Sequence, residues 1–285
     1  MCRFAVYIGA EIQISSLITE PANSIIHQSF HSHERSEPLN GDGFGLAWYP
    51  PEDEERPALF KSTTPAWSNR NLREIARVTR TRCLLAHVRA ASPGSPVTEL
   101  NCHPFASGRL TFMHNGDLGG FRDLRRRLLA DLSPEAFASI EGSTDSEHMF
   151  AVFLDRLRAQ DGGDRTERLA AALEETIRHV EALRREVAPD QPSLLNLVAC
   201  DGKRAAVTRY TSGHEPASSL YFNTGRTYTC DQGLCHMVDD GAAPSAVIVA
   251  SEPLDEDDRW TRVEPGHVVL VTPELKVSTR PMERM

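Results

Sequence analysis

The chain has 285 residues, 40% of them hydrophobic, and a formal net charge of −9 at pH 7. This length suits one large domain or two small ones, with enough apolar side chains to fill a core. The acidic balance disfavours a nucleic-acid-binding surface, so we expect no nucleic-acid partner. We also expect no membrane partner, because no apolar window is long enough to span a bilayer and the N-terminus lacks the pattern of a signal peptide.

Two smaller features of the composition agree with this picture. A local basic cluster is interpreted as the solvated face of a helix, and it consists of Arg122, Arg125, Arg126 and Arg127. The cysteines show no paired spacing, which is typical of free thiols in a reducing compartment; they are Cys2, Cys83, Cys102, Cys200, Cys230 and Cys235. We therefore expect a cytoplasmic protein.

Short apolar runs predict a series of strands. The first covers Phe4–Ile8, ends at Gly9 and is apolar throughout, which favours a buried strand. The acidic segment from Pro50 to Pro57 predicts a solvated hairpin loop. Further strands are expected at residues 46–49, 58–61, 83–89, 109–114, 194–200, 204–210, 246–250 and 267–271.

Helical periodicity lies between two strand-rich parts of the chain. One predicted helix has Phe121, Leu124, Leu128 and Leu129 on one face, and Ser133 with Pro134 predicts the start of another. Two longer helices are predicted by the apolar sets Phe150, Phe153, Leu154, Leu157 and Leu169, Leu173, Ile177, Val180, Leu183. Two strand blocks with helices between and around them predict packed sheets covered by helices, within a single domain.

The second residue, Cys2, is the first candidate for chemistry. Removal of Met1 would leave a thiol and a free α-amine on one residue. An α-amine titrates near neutral pH, so part of it is unprotonated and can accept the thiol proton. Position alone is equally compatible with a cysteine that merely begins a buried strand.

Three other segments supply the groups that a nucleophile acting on a carbonyl needs. Asn115 and Gly116 follow a predicted strand, and a side-chain amide with a backbone N–H can bind an oxyanion, although the pair alone is a turn signal. Arg89 ends a strand, where it could clamp a carboxylate or simply cap a loop. Asp145 stands where a helix begins, as an ordinary cap or as the partner of a substrate ammonium.

Metal-site and protease-like readings are weaker. His27, His31 and His33 lie close together, as do Cys230, Cys235 and His236, but neither spacing matches a known metal-ligand pattern. Loop and surface histidines explain them better, so we expect no metal and no cofactor. A Cys–His dyad at 102–103 or 235–236 is also disfavoured, because adjacent residues of an extended chain point to opposite faces.

Six blocks in fixed order resemble the class II glutamine amidotransferases, a branch of the N-terminal nucleophile hydrolases. They are Cys2-Arg3-Phe4, Asn40-Gly41-Asp42-Gly43-Phe44-Gly45, His87-Val88-Arg89, Asn101-Cys102-His103-Pro104-Phe105, His114-Asn115-Gly116 and Thr144-Asp145-Ser146-Glu147. The resemblance implies an α+β fold, a four-layer α-β-β-α sandwich, with residues 1–285 as one amidotransferase domain and a catalytic core of about 2–275.

The same resemblance implies roles for five residues. Cys2 would be the nucleophile with its own amine as base, and Asn115 with Gly116 would form the oxyanion hole. Arg89 would bind the α-carboxylate and Asp145 the α-amine of a small-molecule γ-glutamyl substrate such as glutamine. The product would be released from a γ-glutamyl thioester on Cys2.

Within the family, the chain looks most like the amidotransferase-like subunit of a cytosolic glutathione-degrading complex and its bacterial relatives. The γ-glutamyl amidohydrolase of ergothioneine synthesis is a close alternative. The length leaves no room for a synthase domain that would use released ammonia. We therefore expect either a separate hydrolase or ammonia-accepting protein as partner, or a γ-glutamyl compound whose hydrolysis is itself the biological reaction. The alternative from another class is a non-catalytic γ-glutamyl-binding or partner-docking subunit, which a retained Met1 would favour.

Overall fold

The computed structural model describes residues 2–34, 38–50, 54, 56–92, 94–214, 216–231, 233–241 and 243–283. Within these ranges the strands are β1 (Arg3–Gln13), β2 (Phe44–Trp48), β3 (Ala58–Ser62), β4 (Arg80–Val88), β5 (Phe105–Ser107), β6 (Leu110–Asp117), β7 (Leu194–Cys200), β8 (Ala205–Arg209), β9 (Tyr221–Gly225), β10 (Thr227–Asp231), β11 (Leu234–Val238), β12 (Ala246–Ala250), β13 (Thr261–Arg262), β14 (His267–Val271) and β15 (Val277–Pro281). The α-helices are α1 (Ser15–Ile18), α2 (Ile25–Phe30), α3 (Arg70–Val78), α4 (Phe121–Ala130), α5 (Pro134–Ala138), α6 (Asp145–Arg158) and α7 (Arg165–Val187).

The strands form two main sheets whose pairs are antiparallel. Among the described strands, one sheet has the order β13-β9-β12-β1-β4-β2-β3 and the other has the order β15-β14-β8-β7-β6-β5. Strands β10 and β11 make a separate hairpin. In the described part of the chain, no helix combines the length and apolar character needed to cross a membrane.

The two sheets pack face to face, and helices cover their outer faces. One apolar cluster joins β1 and β4 to β6, β7, β8 and β14, and includes Phe4, Met113 and Val198. A second cluster packs α1, α2 and α3 on the sheet that contains β1. A third packs α4, α6 and α7 on the other sheet. The expected four-layer α-β-β-α sandwich is therefore confirmed.

The apolar start of β1 follows from its place in the middle of these layers. Phe4, Val6 and Ile8 belong to the core between the sheets. Ala5 and Tyr7 point the other way and pack in the helix-covered core. Because alternate side chains of a strand face opposite sides, a strand covered on both sides needs apolar residues at every position.

The structure extends and corrects the sequence-based elements. The bounds predicted for the strands at 194–200, 246–250 and 267–271 agree with the structure. The first strand was predicted to end at Ile8 but continues to Gln13. Part of the predicted 50–57 loop lies outside the described residues. The expectation of six free thiols is wrong for Cys230 and Cys235, which form a disulfide. The antiparallel pairing of β10 with β11 sets these two residues directly opposite each other, which the sequence spacing did not reveal.

A buried ion pair holds the beginning of β1. The Arg3 guanidinium donates to Glu252 at 2.5 Å, and both side chains are essentially inaccessible to solvent. Burial alone would raise the pKa of Glu252, but Arg3, the Ser32 hydroxyl and the amides of His33 and Glu34 together lower it below its ordinary value. The pair therefore stabilises the fold above the ordinary Glu pKa, and this contribution is lost as pH falls through the lowered pKa.

We expect Glu252→Gln to lower the free energy of unfolding by about 3–5 kcal/mol, because it leaves the Arg3 charge buried without a counter-charge. Urea unfolding followed by circular dichroism measures the loss. The matched control is Glu74→Gln, which breaks the Arg77–Glu74 pair between side chains that are 67% and 69% exposed. An exposed pair contributes about 0–1 kcal/mol, so equal losses in the two variants would refute the assigned role of Glu252.

Candidate active site

A cavity of about 740 Å³ opens where β1 and α6 begin and where β4 and β6 end. Its wall contains Cys2, Arg89, Gly116 and Asp145, four of the five residues that the sequence nominated. Asn115 lies beside them in β6, is fully buried and is not part of the wall. The fold therefore brings together residues that are far apart in the chain: Cys2 and Asp145 are 143 positions apart.

The Cys2 thiol lies at the start of β1 and is 7% exposed. The backbone N–H of Ala90 donates to its sulfur at 3.5 Å, and the sulfur lies 3.6 Å from the Ala90 carbonyl oxygen. The Arg3 guanidinium donates to the Cys2 carbonyl at 3.0 Å. Both the side chain and the backbone of Cys2 are thus held, by the residue after β4 and by the ion pair with Glu252.

Asn115 and Gly116 end β6, which pairs with β7. The Asn115 side-chain NH2 donates to the Ser251 hydroxyl at 3.3 Å, and the same hydroxyl accepts from the Phe4 amide at 3.1 Å. The side-chain oxygen of Asn115 has no hydrogen-bond partner among the described residues. Ser251 therefore connects the end of β12 to both the first strand and the predicted oxyanion donor.

Gly116 is required by the close approach of its neighbours. A Cβ atom at this position would lie 1.6 Å from the Leu194 carbonyl oxygen and 2.7 Å from Nε2 of His114. Its φ of +154° is also outside the range that residues with side chains favour. The absence of a side chain lets the backbone of Gly116 reach the cavity wall.

Arg89 follows β4 and is 3% exposed. Its guanidinium donates to the Pro96 carbonyl at 3.2 Å and to the Ser95 hydroxyl at 2.9 Å. A guanidinium carries five N–H groups in a planar fork, so two such bonds fix its orientation and leave donors for an anion. The side chain is thus a positioned cation in the cavity wall.

Asp145 is the first residue of α6, and Thr144 rather than Asp145 is the helix cap, accepting from the Glu147 amide. The Asp145 carboxylate accepts from the amides of Leu118 at 2.9 Å and Ser146 at 2.7 Å. These bonds hold it at the wall of the cavity. The sequence correctly predicted that Asp145 stands at the start of a helix. The capping role that it offered as an alternative is filled by Thr144.

His114 joins the β6 and α6 sides of the site. Its Nε2 lies 3.0 Å from the Leu194 carbonyl oxygen, which can only accept, so this nitrogen carries a hydrogen. Its Nδ1 lies 2.9 Å from the Ser146 hydroxyl, which donates to the Asp145 carboxylate at 3.1 Å. His114 therefore fixes the distance between the end of β6 and the start of α6.

A second carboxylate, that of Asp117, stands next to Asp145. Partial desolvation in the cavity wall and repulsion from Asp145 raise the pKa of Asp117, while His114 and the Ser92 hydroxyl oppose the shift. The Ser92 hydroxyl donates to it at 3.2 Å. Two carboxylates at one end of the cavity and Arg89 in the wall give the site a polar arrangement suited to a zwitterion.

Two buried histidines lie next to each other at this wall: His103 belongs to it and His87 does not. Burial lowers the pKa of His87 to about 3, although a hydrogen bond to the His114 carbonyl oxygen acts in the opposite direction and raises it. Burial and the neighbouring His87 also hold the pKa of His103 well below its ordinary value. Their ring centroids are 4.2 Å apart. Both rings are neutral at physiological pH and are poor proton acceptors, so neither suits the part of general base.

Sequence reasoning did not nominate His114, Ser251 or Asp117 as site residues. His114 and Asp117 flank the Asn115-Gly116 pair, and this adjacency is the signal that would have found them. Ser251 is 136 residues from Asn115, and only the register of β12 against β1 brings it there. The separation explains why no local pattern pointed to it.

Comparison with known proteins identifies similar chains. A family model described as class II glutamine amidotransferases matches residues 17–282. The chain is 40% identical over 292 residues to the probable glutamine amidotransferase DUG3 of Saccharomyces cerevisiae, covering 95% of this chain and 82% of the yeast protein. It is 27% identical to the γ-glutamyl-hercynylcysteine sulfoxide hydrolase of Mycobacterium tuberculosis, covering 95% and 93% of the two chains.

Solved structures share the fold. A glutamine aminotransferase class-II domain protein from Silicibacter pomeroyi superposes with a TM-score of 0.69 at 28% identity, covering 99% of this chain and 100% of that one. The glutamine phosphoribosylpyrophosphate amidotransferase of B. subtilis gives a TM-score of 0.59 at 16% identity, covering 99% of this chain and 49% of that one. The second likeness concerns the fold alone.

Proposed function

The chain belongs to the class II glutamine amidotransferases and is an enzyme of this amidotransferase and hydrolase kind, and on that basis we propose that it cleaves γ-glutamyl amide bonds through a thioester on Cys2. One observation carries the proposal. The Cys2 thiol, the Arg89 guanidinium and the Asp145 carboxylate line the same cavity. A nucleophile with one positive and one negative group beside it fits the reacting carbonyl and the charged ends of a γ-glutamyl group.

Substrate binding follows from the charges in the wall. Arg89 binds the α-carboxylate through the donors that Ser95 and Pro96 leave available. Asp145 binds the α-ammonium, and the neighbouring Asp117 adds a second negative group. With both ends of the amino acid fixed, the side-chain carbonyl is directed to Cys2 in the same cavity wall.

The reaction begins with proton transfer from the Cys2 thiol to the α-amine of the same residue, after Met1 has been removed. The sulfur attacks the γ-carbonyl carbon, and the Asn115 amide with the Gly116 N–H binds the resulting oxyanion. The α-ammonium returns its proton to the leaving nitrogen as the C–N bond breaks. Water then attacks the thioester, gives a proton to the α-amine, and releases glutamate while the sulfur regains a hydrogen.

The histidines near the site support the choice of base. The pKa of His87 is about 3, and that of His103 lies well below the ordinary value. Neither ring takes a proton readily at neutral pH. An α-amine titrates near 7.7–8.0 in model peptides, which suits proton transfer in both directions. Met1 lies outside the described residues, so its removal remains a prediction of the mechanism.

The size of the cavity favours a leaving group larger than ammonia. Its volume is about 740 Å³, within the roughly 300–1,000 Å³ range of pockets that hold drug-sized ligands. A γ-glutamyl peptide therefore fits the site at least as well as glutamine. Hydrolysis of such a compound needs no ammonia acceptor, whereas glutamine cleavage points to a separate ammonia-accepting or hydrolase partner.

The two relatives bear on the choice of substrate. The mycobacterial relative is named for its action on γ-glutamyl-hercynylcysteine sulfoxide, which favours the ergothioneine-like alternative. The yeast relative is more similar, at 40% identity. Because the sequence also resembles the subunit of a glutathione-degrading complex, we propose a γ-glutamyl substrate of the glutathione type first, with the sulfoxide as the second candidate. The alternative of a non-catalytic binding subunit receives no support from either relative.

The first test is a screen of glutamine, glutathione and other γ-glutamyl amides for release of glutamate, with intact mass measured on the same sample. We expect a mass that lacks Met1, turnover by the native protein and none by Cys2→Ala. Brief reaction with substrate followed by acid quenching should show the γ-glutamyl adduct in the mass spectrum. Undiminished turnover in Cys2→Ala would rule out the mechanism.

The oxyanion role of Asn115 is tested by its effect on turnover. Asn115→Ala should lower kcat by about 100- to 1,000-fold with little change in KM, because loss of one oxyanion donor affects the transition state most. Ser251→Ala is the matched control, since it removes the partner of the amide and leaves the amide itself. Steady-state kinetics on folded variants separate the effects. A raised KM at unchanged kcat would assign Asn115 to substrate binding instead.

The second carboxylate should produce a pH dependence in substrate binding. Because the pKa of Asp117 is raised, its negative charge is lost earlier than that of an ordinary Asp as pH falls. We expect kcat/KM to fall through this raised pKa, and the fall to move to lower pH in Asp117→Asn. Glutaramate, which lacks the α-amine, is the control substrate. An unchanged acidic limb in the variant would contradict the role.

A further inference from the structure

Three imidazoles outside the catalytic cavity come together at the end of α2. His27 lies in α2, and His31 follows one helical turn later, its amide donating to the His27 carbonyl at 2.9 Å. The helix ends at Phe30, which allows His33 to return toward the same side. One ring nitrogen from each residue lies within 4.8 Å of the other two.

From this arrangement we propose that His27, His31 and His33 form a binding site for a divalent transition-metal ion, with Zn²⁺ as the first candidate. Imidazole nitrogens are ligands that zinc, copper and nickel prefer over magnesium or calcium. Three protein ligands leave a further coordination position for water or an external ligand. None of the three histidines belongs to the wall of the catalytic cavity.

The ring geometry allows coordination after a small movement. Tetrahedral zinc with Zn–N bonds of about 2.0–2.1 Å sets its nitrogen ligands roughly 3.4 Å apart. The ring centroids of the three residues are 5.2–5.9 Å apart. His31 and His33 are exposed, so their side chains can rotate toward a common ion at little cost in packing.

The backbone that carries the rings is already held. The Ser24 hydroxyl accepts from the His27 amide at 3.3 Å at the start of α2. The His33 amide donates to the Glu252 carboxylate at 2.9 Å. Hydrogen bonds that fix the ligands before the ion arrives lower the ordering cost of binding.

The ring nitrogens themselves are available. Among the described residues, none of these three rings makes a hydrogen bond that would occupy its nitrogens. Glu252 is nearby, but Arg3, Ser32 and the amides of the 33–34 segment occupy its oxygens. The ion would therefore take nitrogen ligands from the protein.

A second group of possible ligands serves as an internal comparison. Glu20, Cys230 and Cys235 also place ligand atoms within 4.8 Å of one another. The two sulfurs are joined in a disulfide, so they are not thiolate ligands. Measurements without reducing agent thus separate the histidine site from this one.

The experiment uses the full chain carrying Cys2→Ser, which removes the thiol of the cavity wall as a competing ligand. The protein is stripped with EDTA, and Zn²⁺ is added under isothermal calorimetry without reductant. We expect one zinc ion per chain. His31→Ala and His33→Ala should each weaken binding by more than the 10- to 100-fold that loss of an outer hydrogen-bond partner costs. His214→Ala, which removes an exposed histidine elsewhere, should leave binding unchanged.

Co²⁺ provides a second readout of the ligand atoms. The cobalt form should show d–d absorption without thiolate-to-cobalt charge transfer, and this absorption should disappear in His31→Ala. Equal melting temperatures of the metal-free variants confirm that they fold. Zinc binding that survives in both histidine variants, or a thiolate band in the cobalt form, would overturn the proposal. Zinc below one equivalent per chain in the folded native protein would overturn it too.

Discussion

The ion pair between Arg3 and Glu252 is the constraint on which the rest of the site depends. The Arg3 guanidinium binds both the Glu252 carboxylate and the Cys2 carbonyl, so a single side chain fixes the residue that carries the proposed nucleophile. Glu252 in turn accepts from the amides of His33 and Glu34. When the chain folds, both charges of such a pair are removed from water, which is unfavourable. The pair in turn holds the first strand in a defined position. Loss of either partner would leave a buried charge unpaired, so the pair both stabilises the fold and fixes the start of β1.

Around that fixed point, the two sheets bring together groups of opposite charge. The first sheet supplies the sulfur at the start of β1 and Arg89 at the end of β4, and the second supplies Gly116 near the end of β6. Helix α6 adds Asp145 at its first residue. Each group is held by backbone or hydroxyl partners outside the reacting centre, so the cavity is arranged before a substrate enters, and little reorganisation is needed during the reaction.

Much of this architecture was readable from the sequence, because it depends on local patterns. Continuous apolar runs predicted the central strands such as β7 and β12, and 3.6-residue periodicity predicted α6 and α7. The short helices α1 and α2 were missed, since helices of one or two turns show too little periodicity to detect. Ser251 and the opposed pair Cys230–Cys235 depend on strand register, which no local pattern encodes. The convergence of His27, His31 and His33 likewise depends on where α2 ends.

The depth of Cys2 also has a practical consequence for work with this protein. Its side chain is 7% exposed and lies just before β1, and its backbone carbonyl is held by Arg3. Because Cys2 lines the cavity, a purification tag or fluorescent label fused ahead of it would begin at the wall of the site and interfere with ligand binding. Affinity handles and surface-immobilisation anchors therefore belong at the other end of the polypeptide, where Val277–Pro281 forms an outer strand of its sheet.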